Sequence, residues 1–453
     1  MTDTTTLTGA TLPDGRVRDV VLRHGSVSHL RPAGPAVPAC HHVDLRGYLL
    51  LPAPVEPHLH LDRALTWEPT GADPGGRDGA TRSWRAWPAR YGVADLRRRA
   101  HTALLALSAN GVTAVRAHVD VGAGAGSPLR AVEILRDLRE DLYRILDLQV
   151  VAVPSPGLSD RAALDAFAAG ANLLGGRPHL APDPRIETRR LLRLADRAET
   201  DLDVHLDDQP DRRVLAVADL ARLLRASGFG RRVTASHCAG LGVLRPPALA
   251  KVVEAIAASG MGVVGLPSAA DSGALRTSRH LAAARGLPDR RLPARARALV
   301  RNARAAADPT CDLRRAGHVP FGGTAPLHAL LRAGVPLAAG GDHLRDALHP
   351  MGRADAFETA ALLAAAGGLT PADAYAAVST GARAVLGLPA AGPEPGALAD
   401  LVAVRAGSLA EALAAPPTDR IVIRHGRVVA RATTPRVPAQ RGRAGIRVPV
   451  GVR

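Results

Sequence analysis

Histidine and aspartate residues follow several short apolar runs in this sequence, and their spacing could build a metal centre. His58 and His60 are separated by one residue, so alternation along a strand would place both imidazoles on the same face. Two neutral imidazoles that point into one cavity make half of a metal site. An isolated pair of this kind more often belongs to a surface or a core, so the hypothesis needs support from other segments.

Four other apolar runs end in residues that could complete such a site. They end at His118-Val119-Asp120, His205-Leu206-Asp207-Asp208, Ser236-His237-Cys238 and Asp342-His343. Three histidines and one carboxylate suit a divalent zinc or iron ion, with one coordination position left for water. Such an ion lowers the pKa of its water to about 7 and yields a hydroxide nucleophile. A general acid or base must then carry protons to the leaving nitrogen.

The middle of the chain alternates short apolar runs with helical patterns, which is typical of a parallel sheet built from βα units. Asn110-Gly111 and Ser227-Gly228 are expected helix ends. Eight strands are predicted, near residues 50–57, 112–120, 147–154, 171–175, 202–206, 232–237, 261–266 and 335–341. They predict an α/β fold, a (β/α)8 TIM barrel, with functional residues at the carboxyl ends of the strands. Five of the eight predicted strands end in histidine or aspartate, which scattered core histidines have no reason to do.

Short strands and turns at both ends of the chain predict a second, smaller domain. The segments are Arg18–Leu22 and Ser26–Leu30 around His24-Gly25, Val43–Leu51, Leu401–Val404, and Arg420–Ala430 around His425-Gly426. We expect residues 1–50 and 390–432 to form a composite β-sandwich beside a barrel of residues 51–389. Residues 433–453 are rich in proline and arginine, and we expect them to form a basic flexible tail.

The charge of the chain does not by itself indicate a nucleic-acid partner. The 453 residues are 47% hydrophobic and 22% charged, which is typical of a globular protein, and the formal net charge is +16. Nearly all the positive charge is arginine, because Lys251 is the only lysine, and the arginines are spread along the chain. A nucleic-acid binder usually concentrates its basic residues on one face, often among aromatics. We therefore expect a small-molecule substrate and no nucleic acid.

Cysteine usage and the apolar runs bear on the cellular compartment. Cys40, Cys238 and Cys311 are odd in number and widely spaced, so no disulfide framework is implied. The first residues lack the basic and apolar regions of a signal peptide. No apolar run approaches the ~20 residues that a membrane helix needs. The sequence predicts a cytoplasmic protein that does not bind membranes, and it is compatible with a homo-oligomer.

Seven segments together resemble the amidohydrolase superfamily, and more narrowly its cytosine deaminase-like branch. They follow the barrel in order, so their combination is specific although no single segment is. The segments are LPAPVEPHLHLDRALT (51–66), VTAVRAHVDVG (112–122), LQVVAVPSPG (148–157), LLGGRPH (173–179), DVHLDD (203–208), VTASHCAGLG (233–242) and GGDHLRDALHPMG (340–352). The terminal β regions are similar to the composite sandwich of that family.

The resemblance implies one divalent metal ion, zinc or iron, and assigns its ligands. The ligand positions are His58, His60, His205 and Asp342. His237 matches the histidine that orients the hydroxide and the developing oxyanion. Asp342 would also take a proton from the metal-bound water. Asp346 matches a second acidic position, where it is expected to bind the substrate. Members of this branch hydrolyse carbon–nitrogen bonds in cyclic amidines, pyrimidines or triazines and release ammonia or an amine.

Three positions depart from the family pattern. The proton shuttle is a glutamate in the family and Asp208 here, which draws the carboxylate back by roughly 1.5 Å, and misplacement of about 1 Å can lower a rate on the order of 100-fold. The family commonly has glutamine where Ser155 stands, and serine cannot make that paired amide contact. The segment 267–271 lacks the asparagine usual there. These changes argue against cytosine itself as the substrate.

Several other polar residues are candidates for binding the substrate. His118 and Asp120 are expected to line the mouth of the barrel, although an ion pair with Arg116 or Arg63 would explain them equally well. Arg63 could reach an anionic substrate or only neutralise Asp62. We take Asp207 as a helix cap or site residue, Cys238 as packing, and His343, His349, His24 and His425 as structural or exposed.

The sequence thus predicts a deaminating, or deamination-like, metal-dependent hydrolase of non-peptide C–N bonds in a nitrogen heterocycle. Two alternatives stay open. One is an amidohydrolase that cleaves an N-alkylamine or an amide. The other is a catalytically weakened barrel that binds a metal or a metabolite without efficient turnover, which the changes at Asp208 and Ser155 motivate.

Overall fold

The structure of this chain is a computed structural model. It describes residues 4–34, 41–70, 92–122, 129–208, 215–267, 325–366 and 368–433. Most of the long connection 271–325 and nearly all of the predicted tail lie outside these residues, as do Cys40 and Cys311. Within the described ranges, no helix is long and apolar enough to cross a membrane.

Strands and helices alternate through the middle of the described chain, as the sequence predicts. The strands are β1 (Thr4–Thr11), β2 (Val17–Arg23), β3 (Ser26–Pro32), β4 (His41–Asp44), β5 (Leu49–Pro52), β6 (Val55–Leu59), β7 (Ala114–Val121), β8 (Asp147–Pro154), β9 (Leu173–Gly176), β10 (Leu202–Leu206), β11 (Val233–His237), β12 (Gly262–Gly265), β13 (Leu337–Ala339), β14 (Leu401–Val404), β15 (Arg420–Arg424) and β16 (Arg427–Ala432).

The helices lie mostly between consecutive barrel strands. They are α1 (Trp67–Thr70), α2 (Val93–Ala109), α3 (Arg130–Asp141), α4 (Asp160–Ala168), α5 (Pro184–Arg197), α6 (Ala216–Ser227), α7 (Pro246–Ser259), α8 (Leu327–Arg332), α9 (Ala356–Ala366), α10 (Pro371–Ala377), α11 (Thr380–Leu386) and α12 (Leu409–Ala414). The two expected helix ends are observed, since α2 stops before Asn110 and α6 stops before Gly228, whose φ of 64° suits glycine.

Strands β6 to β13 form one parallel sheet in chain order, which is the predicted barrel. Each of the eight strands overlaps one predicted segment, although the segment predicted at 50–57 also contains most of β5, which belongs to the other sheet. The barrel approaches closure through a parallel bridge between Leu59, at the end of β6, and Asp342, which follows β13. Two backbone hydrogen bonds reinforce this bridge, from the Asp342 N–H to His58 at 2.9 Å and from the His60 N–H to Asp342 at 3.0 Å.

The other eight strands form a separate, mostly antiparallel sheet from both ends of the chain. The order β16-β15-β14-β5-β1-β2-β3 joins the last strands of the chain to the first ones, with β4 paired to β1. Side chains alternate along these strands, as period-two geometry requires. On β5, Leu50 packs within this sheet's own core, whereas Leu49 and Leu51 pack with the barrel core. The barrel fold with a second β region from both termini is therefore confirmed, and the exact domain limits stay a prediction.

Candidate metal centre and active site

The carboxyl ends of the barrel strands bring four polar side chains together, as the sequence predicts. His58 lies on β6, His60 directly follows that strand, His205 lies on β10, and Asp342 follows β13. Each is at most 3% exposed. The barrel closure fixes one pair of these residues directly, because the backbone hydrogen bonds of Asp342 are made to His58 and His60.

Side-chain atoms of these four residues point at one another across short distances. The Nε2 atoms of His60 and His205 are 3.1 Å apart. One carboxylate oxygen of Asp342 lies 3.6 Å from His58 Nε2 and 3.8 Å from His60 Nε2. Two nitrogens on a tetrahedral zinc ion at 2.0–2.1 Å would be separated by roughly 3.3 Å. The spacing of the imidazoles therefore fits a shared divalent ion.

In the described part of the chain, four buried atoms of these residues lack the hydrogen-bond partner that burial normally demands, and two of the four lie 3.6 Å apart. Among the described residues, His58 Nε2 and Asp342 Oδ1 have no hydrogen-bond partner. A buried acceptor or donor without a partner costs about 1–3 kcal/mol. An ion between the two atoms would satisfy both, so the residues present fit the metal that the sequence implies. One ligand atom from each of His58, His60 and His205 lies within 4.8 Å of the others.

Electrostatics keeps the three histidines in the form that binds metals. Burial lowers the pKa of His58, His60 and His205 well below 6.5, and neighbouring positive groups add to the effect. For His60 the largest of these charges are Arg63 and Arg177. Neutral imidazoles carry the lone pair that a metal ion needs.

Strained backbone occurs where the strands of the site end. His237, Cys238, Asp207 and Asp342 have φ angles of 70°, 53°, 50° and 62°. A non-glycine residue in this left-handed region costs about 1–2 kcal/mol. Such strain persists only where the surrounding contacts hold it, and it concentrates at functional sites. The left-handed turn at His237 places its ring centroid 5.7 Å from that of His58 and 5.4 Å from that of His205.

The predicted proton shuttle lies beside a histidine that the sequence analysis did not single out. Asp208 follows β10, and its carboxylate oxygen is 3.3 Å from His179 Nε2. The other ring nitrogen of His179 lies 3.3 Å from the backbone carbonyl oxygen of His205. His179 therefore holds the shortened carboxylate next to the strand that carries a predicted ligand. Both side chains are less than 20% exposed, so this contact is largely shielded from solvent.

His118 lies inside the barrel, deeper than the predicted position at its mouth. Its ring is completely buried and stacks on His58 with a centroid distance of 3.8 Å. Its Nε2 atom is 3.1 Å from Asp203, so its partner is that carboxylate, and neither Arg116 nor Arg63. Arg116 donates to the second oxygen of Asp203 at 2.7 Å. Burial opposes the charge of Asp203, but His118 and Arg116 hold the pKa of this carboxyl below its ordinary value.

This buried group reaches a predicted ligand through a serine. Ser236 Oγ is 2.9 Å from His58 Nδ1 and donates weakly to Asp203 at 3.4 Å. A second hydrogen bond on the outer nitrogen of a metal-binding histidine fixes the orientation of its ring. The ring of His58 is therefore held by a chain of contacts through Ser236 and Asp203 to Arg116.

Asp120 binds two arginines at the barrel mouth. Arg63 donates to one carboxylate oxygen and Arg177 to the other. The ion pair with Arg63 is one of the two explanations that the sequence left open for Asp120. Burial raises the pKa of the neighbouring Asp62 to about 6.

His343 lies beside Asp342 in the interior, whereas the sequence analysis took it as structural or exposed although it ends the same apolar run as Asp342. It is 7% exposed, and its Nε2 lies 3.4 Å from Asp342. Its Nδ1 lies 2.6 Å from Asp346, which also accepts N–H groups of Leu348 and His349. The contacts of Asp346 are thus those of a residue that orients His343.

The remaining candidates have simpler surroundings. Ser155 directly follows β8 and is half-buried. Asp207 accepts the N–H groups of Ala216 and Val217 at the start of α6, so it caps that helix. Burial raises the pKa of the Cys238 thiol, which agrees with a packing role. Segment 267–271 is described only at its first residue.

Glu56, Arg177 and His179 are the residues that sequence reasoning missed. Glu56 accepts the N–H groups of His58 and Gly341, both at 3.1 Å, and ties the two ends of the barrel together. Burial raises its pKa to about 8. A signal existed for all three, because Glu56 lies two residues before the first ligand and the other two directly follow β9 in LLGGRPH.

Sequence comparison places the chain among known enzymes. A family model described as the amidohydrolase family matches residues 78–430. The chain belongs to the amidohydrolase family. The predicted resemblance is confirmed, and this amidohydrolase is an enzyme that acts on carbon–nitrogen bonds other than peptide bonds.

Three relatives illustrate the range of this similarity. The pterin deaminase of Rhizobium rhizogenes is 29% identical over 434 residues, which cover 91% of this chain and 88% of the relative. The N-isopropylammelide isopropylaminohydrolase structure from Burkholderia multivorans is 27% identical, with a TM-score of 0.74, and the match covers 95% of this chain and 99% of the other. The 5-methylcytosine deaminase from Klebsiella pneumoniae has a TM-score of 0.76 at 24% identity, with coverage of 96% and 100%, and shows the shared fold.

The comparisons bear on the metal at the level of the family. Amidohydrolases of this kind are metal-dependent, and the amidohydrolase described here has a buried cluster of three histidines at the expected place.

Proposed function

We propose that this amidohydrolase removes an amino group from a nitrogen heterocycle with one zinc or iron ion held by His58, His60, His205 and Asp342. One observation carries the proposal. The Nε2 atoms of His60 and His205 approach to 3.1 Å, beside His58 Nε2 and Asp342 Oδ1, which are buried and have no hydrogen-bond partner among the described residues. The pterin deaminase relative, which matches most of the chain, supports an aromatic heterocycle as the substrate class.

A divalent ion at this position supplies Lewis-acid activation of water and of the carbon–nitrogen bond. The protein's own residues orient the ligands and carry the protons. Ser236 fixes the ring of His58 through its 2.9 Å contact with Nδ1. Asp342 presents one oxygen to His58 and His60, and we assign it the first proton released during the attack.

Asp208 and His237 act on the substrate in this proposal. Asp208 carries a proton to the leaving nitrogen, and its 3.3 Å contact with His179 compensates for the missing methylene by fixing the carboxylate in one place. His237, held by its left-handed backbone, donates a hydrogen bond to the oxygen that gains charge during the attack.

Ser155, Asp120 and Arg63 remain proposed contributors to substrate binding. Ser155 lies directly after β8, and its side chain is shorter than the glutamine that the family commonly has there. His118 and Asp346 were also predicted to touch the substrate. Their contacts with His58 and His343 suggest instead that they position the site.

Cleavage of an exocyclic N-alkylamine is a second candidate function. The 27% identical N-isopropylammelide isopropylaminohydrolase structure, which covers nearly the whole chain, favours it. The two functions share the same attack and differ in the leaving group. The released product therefore discriminates them, because one reaction yields ammonia and the other an alkylamine.

The test is a product assay on metal-loaded protein. Zinc- and iron-loaded enzyme is incubated with pterin, cytosine and N-isopropylammelide, and ammonia and isopropylamine are quantified. Ammonia from a heterocycle supports the proposal, and isopropylamine alone supports the second function. Asp208→Asn is the matched control and should abolish most release without loss of metal.

The same assay tests the alternative of a catalytically weakened barrel that binds a metal or a metabolite without efficient turnover. If wild type is inactive and Asp208→Glu is active, the barrel binds metal without efficient turnover. No product from any variant that retains metal would contradict hydrolysis of these heterocycles.

A further inference from the structure

Two arginines from different strand ends converge on one carboxylate at the barrel mouth. Arg63 follows β6, Arg177 follows β9, and Asp120 lies near the end of β7 between them. Each arginine donates to a different oxygen of Asp120. The side chains of Arg63, Arg177 and Asp120 are 15%, 17% and 8% exposed. The arginines therefore reach the opening more than the acid that joins them does.

The guanidinium of Arg177 has donors to spare. An arginine side chain carries five N–H donors in a planar fork. Within the described part of the chain, Asp120 is the hydrogen-bond partner of Arg177, and it uses the NH1 group. A planar fork beside an opening suits a carboxylate or another oxyanion, which it binds with two parallel hydrogen bonds.

The arginine pair lies beside the proposed metal centre. The backbone N–H of Arg63 donates to the backbone carbonyl oxygen of His60 at 3.2 Å, and Arg177 is two residues before His179, whose ring lies 3.3 Å from the backbone carbonyl oxygen of His205. An anion bound by the two guanidinium groups would therefore lie close to the reacting centre.

We propose that Arg177, assisted by Arg63, binds an anionic substituent of the heterocycle, a carboxylate or an equivalent oxyanion, and thereby selects the substrate. This inference rests on the proposed function, because it names the class of heterocycle that the same site accepts. Asp120 accepts a hydrogen bond from each guanidinium group on a different oxygen and so fixes their relative positions, which makes it a positioning residue.

The experiment compares matched ligands that differ only in one carboxylate. Binding of pterin and 6-carboxypterin, and of cytosine and 5-carboxycytosine, is measured by calorimetry on zinc-loaded Asp208→Asn protein. This background removes turnover, so a preference for the carboxylated ligand can be found even if the proposed hydrolysis fails. We expect the carboxylated member of at least one pair to bind on the order of 10- to 100-fold more tightly, as expected for a hydrogen bond to a charged group.

Two substitutions with opposite expected effects separate binding from structure. Arg177→Gln should remove the preference and leave affinity for the neutral ligand within about threefold. Asp120→Asn should keep or increase the preference, because it removes the competing carboxylate from both arginines. Arg185→Gln, at a surface arginine paired with Asp219, is the matched control and should change neither affinity.

The outcomes decide the proposal. Lack of a preference in the parent protein overturns it, whether both ligands bind alike or neither binds. Equal losses for both ligands in Arg177→Gln and in Asp120→Asn also overturn it, because they would show a structural role. A preference with no ammonia release from wild type would count against the proposed hydrolysis alone.

Discussion

His60 and His205 face each other through their Nε2 atoms at 3.1 Å, although 145 residues separate them in the chain. Burial keeps both imidazoles neutral, so their lone pairs are available to one ion. This relationship places the metal centre between the first and fifth strands of the barrel, and it leads to the first prediction.

Asp342→Ala should lose the bound ion. We expect purified wild type to hold about one divalent ion per chain, and the variant to hold much less, because the carboxylate oxygen near His58 and His60 is removed. Elemental analysis after dialysis measures this. Asp201→Asn, in a surface ion pair with Arg232, is the control and should keep its metal. Full metal content in Asp342→Ala would contradict the ligand assignment.

His179→Gln should slow catalysis without releasing the metal. The substitution removes the ring nitrogen that lies 3.3 Å from Asp208, so the carboxylate loses its fixed position. Misplacement of about 1 Å can lower a rate on the order of 100-fold. We expect kcat to fall by about 10- to 100-fold in steady-state kinetics, while KM and metal content stay near wild type. His29→Gln, at an exposed strand position, should leave kcat unchanged. An unchanged kcat in His179→Gln would show that Asp208 does not depend on this contact.

Stability of the metal-free protein should fall as the pH drops below about 6.5. Burial lowers the pKa of His58, His60 and His205, so the unfolded chain binds protons in this range that the folded chain does not. The stabilisation is complete above pH 6.5 and declines below it, by up to about 1.4 kcal/mol per pH unit for each histidine.

Urea denaturation of metal-free protein between pH 5 and 7.5 measures this decline. His60→Gln should reduce the slope, because one of the three neutral imidazoles is gone. His29→Gln should keep it. A slope in His60→Gln equal to that of wild type would contradict a lowered pKa for His60, whatever Glu56 and Asp62 contribute to both profiles.

Arg116→Met should destabilise the barrel more than the double substitution Arg116→Met with Asp203→Leu does. Arg116 and Asp203 are at most 2% exposed and make a 2.7 Å ion pair inside the barrel. Removing one partner leaves a buried charge, which costs about 3–5 kcal/mol. The free energy of unfolding from urea titrations should drop by that amount in Arg116→Met. It should recover in part in Arg116→Met with Asp203→Leu. If the free energy of unfolding falls equally in the single and the double variant, the cost of Arg116→Met does not come from leaving Asp203 without its partner.

Gly340→Ala should weaken metal binding through Glu56. A Cβ atom at this position would lie 2.3 Å from Glu56 Oε1. The displaced carboxyl would lose the N–H groups of His58 and Gly341, which fix the barrel closure. We expect a lower melting temperature and at least about tenfold weaker zinc affinity by competition with a chelator. Gly230→Ala is the matched control, since its added Cβ would meet open space. If Gly340→Ala binds zinc as tightly as wild type does, the hydrogen bonds of Glu56 do not contribute to metal binding.

Much of this architecture could be predicted from local sequence patterns. The eight barrel strands follow from apolar runs alternating with helical segments. Two-residue spacing predicted that His58 and His60 share a face, because side chains on a strand alternate whatever the rest of the fold does. Asp207 illustrates a choice that the sequence left open, between a site residue and a helix cap, and the structure resolves it as the cap of α6.

Contacts between residues that are distant in the chain could not be predicted from the sequence. The burial of His118 against Asp203, and that of His343 against Asp342, depend on which strands become neighbours after the barrel closes. Arg177 and His179 follow a barrel strand in LLGGRPH, but this local pattern does not say which side chains they contact. Their partners, Asp120 and Asp208, come from other strand ends.

The sequence by itself determined the barrel, its strand ends and the family of the enzyme, because these depend on periodicity and on short motifs that local geometry preserves. Only the tertiary structure decided which polar groups meet at the mouth and which pair in the interior. The physical reason is that burial is a property of the assembled barrel. Charge pairs such as Arg116 with Asp203, and approaches such as His60 to His205, arise only when strands distant in sequence are brought side by side.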